Sequence, residues 1–390
     1  MAARTTRRAP GKLMVTGEYA VLEPGRPAVV VAVDRYVTVT VTAAEDAEGA
    51  DVVIDSDLLA HEVRLRRGRE GLQVLPGRDP ASARGAPAHI VSVVETVEQL
   101  RTERRLGLTP VRLSVRSDLH RGGVKTGLGS SAAVTVAAVR ALADHYGMRL
   151  SREDVFRLAL LAGVRIDAGP SGADLAAATW RGWVFYRSPD RQALLAGLRR
   201  HGVAHTLGRP WSGFTVRQLP PPTRLALHVG WSGRPASTTA LVADLATRRE
   251  WQRAVRSRFL DDSEQCVSAA ERALLRDEPA ALLDAVRTAR GLLHRLDAET
   301  SLGIVTADLQ RLCEVAESCG AGAKPSGAGG GDCGIALLPA HRSATLLRLR
   351  WTAAGITPLP LGVTAGAGAD PGPEDRTAPD AAPYPRGHIR

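Results

Sequence analysis

Between an alternating segment at residues 111–117 and a helix-forming run at residues 130–146 lies Gly127-Leu128-Gly129-Ser130-Ser131-Ala132-Ala133. A strand that enters a helix through glycines fits few architectures. The glycines allow backbone conformations closed to other residues, and the first turn of the helix leaves N–H groups without partners. Those N–H groups and the positive end of the helix dipole attract an anion. The expected site therefore runs from Gly127 through Ala132, with Ser130 as N-cap. A plain glycine–serine helix start is the bland alternative. The segment is not a Walker loop, because the Gly-Lys-Ser/Thr ending is missing. It is not a dinucleotide fingerprint either, because no Gly-x-Gly-x-x-Gly follows a strand.

Three of the 51 Lys and Arg residues are lysines, and each sits in a glycine-rich segment. They are Lys12 in Ala9-Pro10-Gly11-Lys12, Lys125 just before Gly127, and Lys324 at the head of Lys324-Pro325-Ser326-Gly327-Ala328-Gly329-Gly330-Gly331-Asp332. In a chain this biased to arginine, a lysine points to a need for a compact, mobile ammonium. Beside glycine-rich backbone, that need is phosphate handling.

The net charge of +10 suits a small polyanionic substrate, and it equally suits a general arginine bias without function. The arginines are spread along the chain and no basic run is interleaved with aromatics, which argues against nucleic acid. No apolar run reaches membrane-spanning length, and the basic N-terminus lacks the apolar stretch of a secretory signal. Cys266, Cys313, Cys319 and Cys333 have no metal-ligand spacing and read as thiols of a reducing cytoplasm.

Periodicity predicts strands at 28–42, 51–54, 63–65, 111–117, 183–186, 224–230, 334–338 and near 359. It predicts helices at 88–106, 130–146, 151–161, 237–248, 254–275, 280–296, 307–319 and 343–352, with Ser151 and Asp154 as a capping box. Residues 68–87 read as loop and 208–222 as the connection between halves. Residues 365–390, rich in Gly, Pro and Ala, are expected to be disordered. Strands and helices without regular βα alternation argue for α+β in two lobes.

The Pro-Gly-Lys strand start, the Gly-Leu-Gly-Ser-Ser-Ala-Ala loop and the late Gly-Ala-Gly-Gly-Gly-Asp loop occur here in the order found in the GHMP small-molecule kinases. The resemblance covers about residues 8–362. Residues 9–22 look most like the mevalonate and phosphomevalonate branch. Lys324 through Leu337, and Gly230-Trp231-Ser232-Gly233-Arg234-Pro235-Ala236-Ser237-Thr238, resemble bacterial phosphomevalonate kinases.

That resemblance implies a ribosomal-S5-like N-terminal lobe, here residues 1–210, and a ferredoxin-like C-terminal lobe, here residues 223–364. It implies ATP as donor, Mg²⁺ as cofactor, 5-phosphomevalonate as acceptor, and a monomer or homodimer. Lys12 would neutralise charge between donor and acceptor. Asp174, in Gly169-Pro170-Ser171-Gly172-Ala173-Asp174, would position the acceptor and Lys12; a helix cap is its bland reading. Lys125 and residues 127–132 would hold the ATP phosphates, with Ser131 on Mg²⁺. Ser171, Gly172, Ser237, Thr238, Lys324, Ser326, Gly327, Ala328, Gly329 and Gly330 would hold the acceptor, with a plain N-cap as the other reading of Ser237 and Thr238.

Two departures keep other acceptors open. Mevalonate kinases carry a magnesium-binding glutamate where this chain has Gly163, which leaves Asp167 as the nearby carboxylate. Trp180-Arg181-Gly182-Trp183 lacks a glycine pair, and Pro170-Ser171 is more like mevalonate kinase. The alternatives are a mevalonate kinase, a paralogue with another small acceptor, or a catalytically silent ligand sensor of the same fold.

Overall fold

Residues 27–43 are dominated by β-branched side chains and make the longest strand of the molecule. The computed structural model describes residues 4–44, 49–57, 59–75, 86–121, 124–248, 251 and 254–366. In it, β1 (Thr5–Thr16) runs antiparallel to this strand, β2 (Pro27–Ala43), with a register shift between Pro10 and Gly11. The first seven residues of β2 are buried on both faces, and the second half alternates as a one-sided strand does.

The first lobe continues with β3 (Val52–Ser56), β4 (Val63–Gly68), β5 (Gly71–Val74), α1 (Ala86–Glu103) and β6 (Val111–Ser117). A small hairpin of β7 (His120–Arg121) and β8 (Val124–Lys125) precedes α2 (Ser130–His145). Then come α3 (Arg152–Ile166), α4 (Ala173–Trp180), β9 (Trp183–Arg187), α5 (Arg191–Gly208) and β10 (Thr215–Leu219). The strands form one eight-stranded sheet in the order β10-β9-β2-β6-β3-β4-β5, with β1 paired to β2. The α3 capping box is present, with Ser151 and Asp154 bonded reciprocally.

The second lobe is β11 (Leu225–Trp231), α6 (Thr238–Thr247), α7 (Ala254–Leu275), α8 (Pro279–Thr300), α9 (Ala307–Ser318), β12 (Gly322–Pro325), β13 (Cys333–Pro339), α10 (Ala344–Ala353) and β14 (Thr357–Leu359). Its strands make a four-stranded antiparallel sheet ordered β12-β13-β11-β14. One buried apolar cluster joins the lobes, running from Val31 and Val39 of β2 to Val267 of α7 and Ile335 of β13. Ion pairs reinforce the junction. Arg26 and Arg187 of the first lobe both reach Glu264 on α7, at 2.7 and 2.8 Å.

Several expectations need correction. The first lobe extends past residue 210, because β10 pairs with β9 on the first sheet. The end of the second lobe returns to the first: Val363 bridges to Val33, and Thr364 N–H donates to the Ala32 carbonyl at 3.0 Å. Helix α5 is absent from the periodicity reading. Gly197 and Gly202 blur its pattern, and Gly202 at φ 80° divides it into two helical stretches. Within the stretch expected to be loop, residues 71–74 form β5, while 76–85 lie outside the described residues. Of the expected disordered tail, residues 367–390 also lie outside them. Among the described residues no helix is long and apolar enough to cross a membrane, and all four cysteines are buried free thiols.

Candidate active site

Just past the register shift in β1, Gly11 and Lys12 lie against the glycine loop that precedes α2. Lys12 N–H donates to the Leu128 carbonyl at 2.8 Å, fixing the loop to the strand. Gly127 has φ 76°, and a Cβ there would lie 2.6 Å from the Cβ of Asp332, so the second and third glycine loops meet at this residue. Gly129, at φ 75°, is the N-cap of α2. A Cβ on it would lie 3.1 Å from Cγ of Lys12, so only glycine lets the lysine stem pass along the start of the helix.

Ser130 is therefore the first helical residue and not the expected N-cap. The α2 terminus has no side-chain cap, and the Ser130 and Ser131 hydroxyls make no hydrogen bond among the described residues. Leu128 and Ala132 are buried and offer backbone only. An uncapped helix start with two free hydroxyls is what an oxyanion requires.

Two cavities flank this point. The first, about 210 Å³, is lined by Lys125, Ser130, Ser131, His89 and His120 together with apolar side chains such as Ile90 and Val134. His120 Nδ1 lies 3.0 Å from the Ser117 hydroxyl. Burial holds both imidazoles below the usual histidine value, and Lys125 acts in the same direction; Asp174 opposes it at His89. The second cavity, about 310 Å³, is lined by Lys12, Glu18, Ser171, Asp174, Thr238 and Gly327, among others.

Lys12 lines the second cavity while its stem rests on the helix start that lines the first. Its ammonium makes no ion pair or hydrogen bond among the described residues. A Cβ on Gly327 of the third loop would lie 4.0 Å from its Nζ. Asp174 lies in the first turn of α4, whose N-cap is Gly172 without a side-chain cap; it accepts the neighbouring Leu175 N–H at 2.9 Å and faces the second cavity, so it is not the helix cap.

Other expected acceptor residues are placed differently. Lys324 is fully buried; its ammonium pairs with Glu18 and donates to the Pro325 carbonyl at 2.6 Å, so it is a structural cation with no access to a ligand. The buried Ser326 hydroxyl accepts the Met14 N–H at 2.9 Å and donates to the Met14 carbonyl at 3.0 Å, fastening the third loop to β1. Gly329 and Gly330 pack on residues 303–304, with Gly330 N–H donating to the Ile304 carbonyl at 2.9 Å; only Gly327 and Ala328 of that loop reach the cavity. Ser237 caps α6 through the Ala240 N–H, leaving Thr238 on the wall. Gly172 lies behind the wall, against the Tyr186 hydroxyl.

Sequence reasoning missed Glu18, Tyr19, Asp332, His89 and His120 as parts of the site. Tyr19 stands at φ 60° and its hydroxyl donates to the Ala328 carbonyl, latching the third loop to the first motif. Asp332 accepts the Ala236 N–H at 3.0 Å, and its own N–H donates to the Arg234 carbonyl at 2.7 Å. Burial raises its carboxyl above the usual range, against the pull of that N–H and of Lys12 and Lys125. The first three belong to motifs already singled out, so position within the motif was their signal. The histidines had none.

Comparison with known proteins identifies the family. The family model for the N-terminal domain of GHMP kinases matches residues 89–182, and that for the C-terminal domain matches residues 273–357. A phosphomevalonate kinase of a Streptomyces species is 52% identical over 91% of this chain and 96% of its own length. A mevalonate kinase of Pyrococcus abyssi is 27% identical over 90% of this chain and 93% of its own. Among solved structures, Streptococcus pneumoniae phosphomevalonate kinase in complex with phosphomevalonate and AMPPNP has a TM-score of 0.80. It is 29% identical, over 92% of this chain and 99% of that one.

Proposed function

This chain belongs to the GHMP kinases, and from that premise we infer that it transfers the γ-phosphoryl group of ATP to 5-phosphomevalonate, giving 5-diphosphomevalonate and ADP in the mevalonate route to isoprenoids. The observation that carries this reading is the uncommitted Lys12 ammonium, which lines the cavity containing Asp174 while the lysine stem passes Gly129 at the start of α2, whose first turn lines the other cavity. The first cavity suits the nucleotide, with its apolar wall for the base and the helix N–H groups for the phosphates. The second suits the acceptor.

The terminal phosphate of the acceptor is largely ionised near neutral pH, so one of its oxygens is already a nucleophile. It attacks the γ-phosphorus; a P–O–P bond forms, the bond to the bridging oxygen of ADP breaks, and the electron pair leaves on ADP. No proton has to be removed. The remaining task is to bring two anions together and to neutralise their charge. Lys12 supplies that charge as a point cation, the α2 N–H groups hold the triphosphate, and Asp174 orients the acceptor and the lysine.

No group of three or more acidic, His or Cys side chains that could hold a metal occurs among the described residues. The free Ser131 hydroxyl still fits a Mg²⁺ ion held mainly by nucleotide oxygens and water. When bound, the ion would neutralise charge on the transferred group. The four buried free thiols support a place in the reducing cytoplasm.

The product identifies the reaction. After incubation with Mg-ATP and 5-phosphomevalonate, ³¹P NMR should show two mutually coupled phosphorus signals besides those of ADP. An unchanged phosphomonoester signal contradicts the reading. Within it, Asp174→Ala should cut turnover by roughly two orders of magnitude and leave nucleotide affinity nearly unchanged. Equal losses in both would mark Asp174 as structural.

A further inference from the structure

Arg191 is the first residue of α5, where the helix dipole disfavours a cation. It is also buried, with 6% of its surface exposed, and no carboxylate lies within ion-pair distance of it among the described residues. Its nearest charged neighbours, Asp190, Glu23 and Asp167, act on it only from further away. A buried guanidinium so placed costs stability unless its donors are satisfied.

Every donor group finds an oxygen, and the oxygens share a location. Nε donates to the Ala168 carbonyl at 3.1 Å, and one terminal nitrogen to the Ser188 hydroxyl and the Pro189 carbonyl. The other reaches the carbonyls of Leu22 and, at 3.3 Å, Gly169. Leu22 and Gly169 line the second cavity from two different segments. Ser188 extends the same network, donating to the Ser171 carbonyl at 3.1 Å.

We propose that Arg191 is a positioning residue for the acceptor cavity. Its planar fork clamps the first-motif wall at Leu22 to the loop at residues 168–171. Its charge behind that loop, offset by Asp190, Glu23 and Asp167 only from beyond ion-pair distance, favours an anionic acceptor. A lysine cannot span these four carbonyls and a hydroxyl at once. The inference rests on the second cavity being the acceptor site.

The test compares the full chain with Arg191→Met, Arg191→Lys and Ser188→Ala, the last removing one leg of the clamp without touching the charge. For each, kcat and both KM values are measured, and the binding of 5-phosphomevalonate and AMPPNP is followed by calorimetry. In Arg191→Met the acceptor KM and Kd should rise about tenfold or more, as for loss of a low-dielectric charge interaction, with the ATP values within about twofold. Arg191→Lys should recover part of the loss, and Ser188→Ala should raise the acceptor KM about threefold. Parallel changes for both ligands, or an unchanged acceptor KM in folded Arg191→Lys and Ser188→Ala, overturn the proposal. If the wild-type chain does not bind 5-phosphomevalonate, the acceptor assignment fails instead, and the same ratios are read with mevalonate, which is also anionic.

Discussion

Replacing Lys12 by methionine lowers turnover by roughly a thousandfold and leaves the thermal midpoint nearly unchanged. The stem of Lys12 is supported by Gly129 and its backbone by Leu128, and methionine keeps most of both contacts. What it removes is the one cation that, among the described residues, lines the second cavity. In a transfer between two anions, that charge matters most when the donor and acceptor oxygens are closest. Lys12→Arg should not restore the rate. The channel past Gly129 and Gly327 is shaped around a narrow stem and a point ammonium, and a planar guanidinium puts its charge elsewhere. Near-normal turnover in Lys12→Arg would show that the site does not require a point ammonium.

The second large effect is on stability. Lys324→Met should destabilise the fold by about 3–5 kcal/mol, because it leaves the Glu18 carboxylate buried and without its partner. Glu18 is 5% exposed and Lys324 is fully buried, so little water reaches either charge. The pair joins the first motif to β12, at the root of the third glycine loop. Adding Glu18→Gln to Lys324→Met should recover part of the loss, since the orphaned charge then disappears. Denaturant unfolding of both variants measures this. A single variant within about 1 kcal/mol of wild type would show that the pair contributes nothing net.

These two lysines show what can be read from the chain and what cannot. Both stand beside glycines, and by local chemistry they look alike. Lys12 lines a cavity just past a shift in the β1 register. Lys324 is buried because Glu18, distant in sequence, folds against it. Partners separated by most of the chain leave no local trace, so the local chemistry that places Lys12 in a cavity misplaces Lys324. The helix start at Ser130–Ser131 is legible because glycines and an uncapped first turn are local properties. The two-lobed α+β fold is legible because most strands and helices are strongly periodic.

The missed parts follow the same logic. Helix α5 is interrupted by Gly202, and β10 lies in a segment flanked by prolines, so neither carries a clean period. His89 and His120 belong to no motif and come to line one cavity with Ser130 and Ser131 through the packing of α1 and the β7–β8 hairpin. Arg191, in that interrupted helix, is one arginine among many until its surroundings are known.

The most direct measurement is acceptor-dependent ADP release with Mg-ATP, run with 5-phosphomevalonate, with mevalonate and with no acceptor. Turnover is expected with 5-phosphomevalonate, none with mevalonate, and only background without acceptor. Turnover with mevalonate instead would assign the second cavity to an alcohol acceptor. Binding of AMPPNP without turnover on either compound would contradict the central claim.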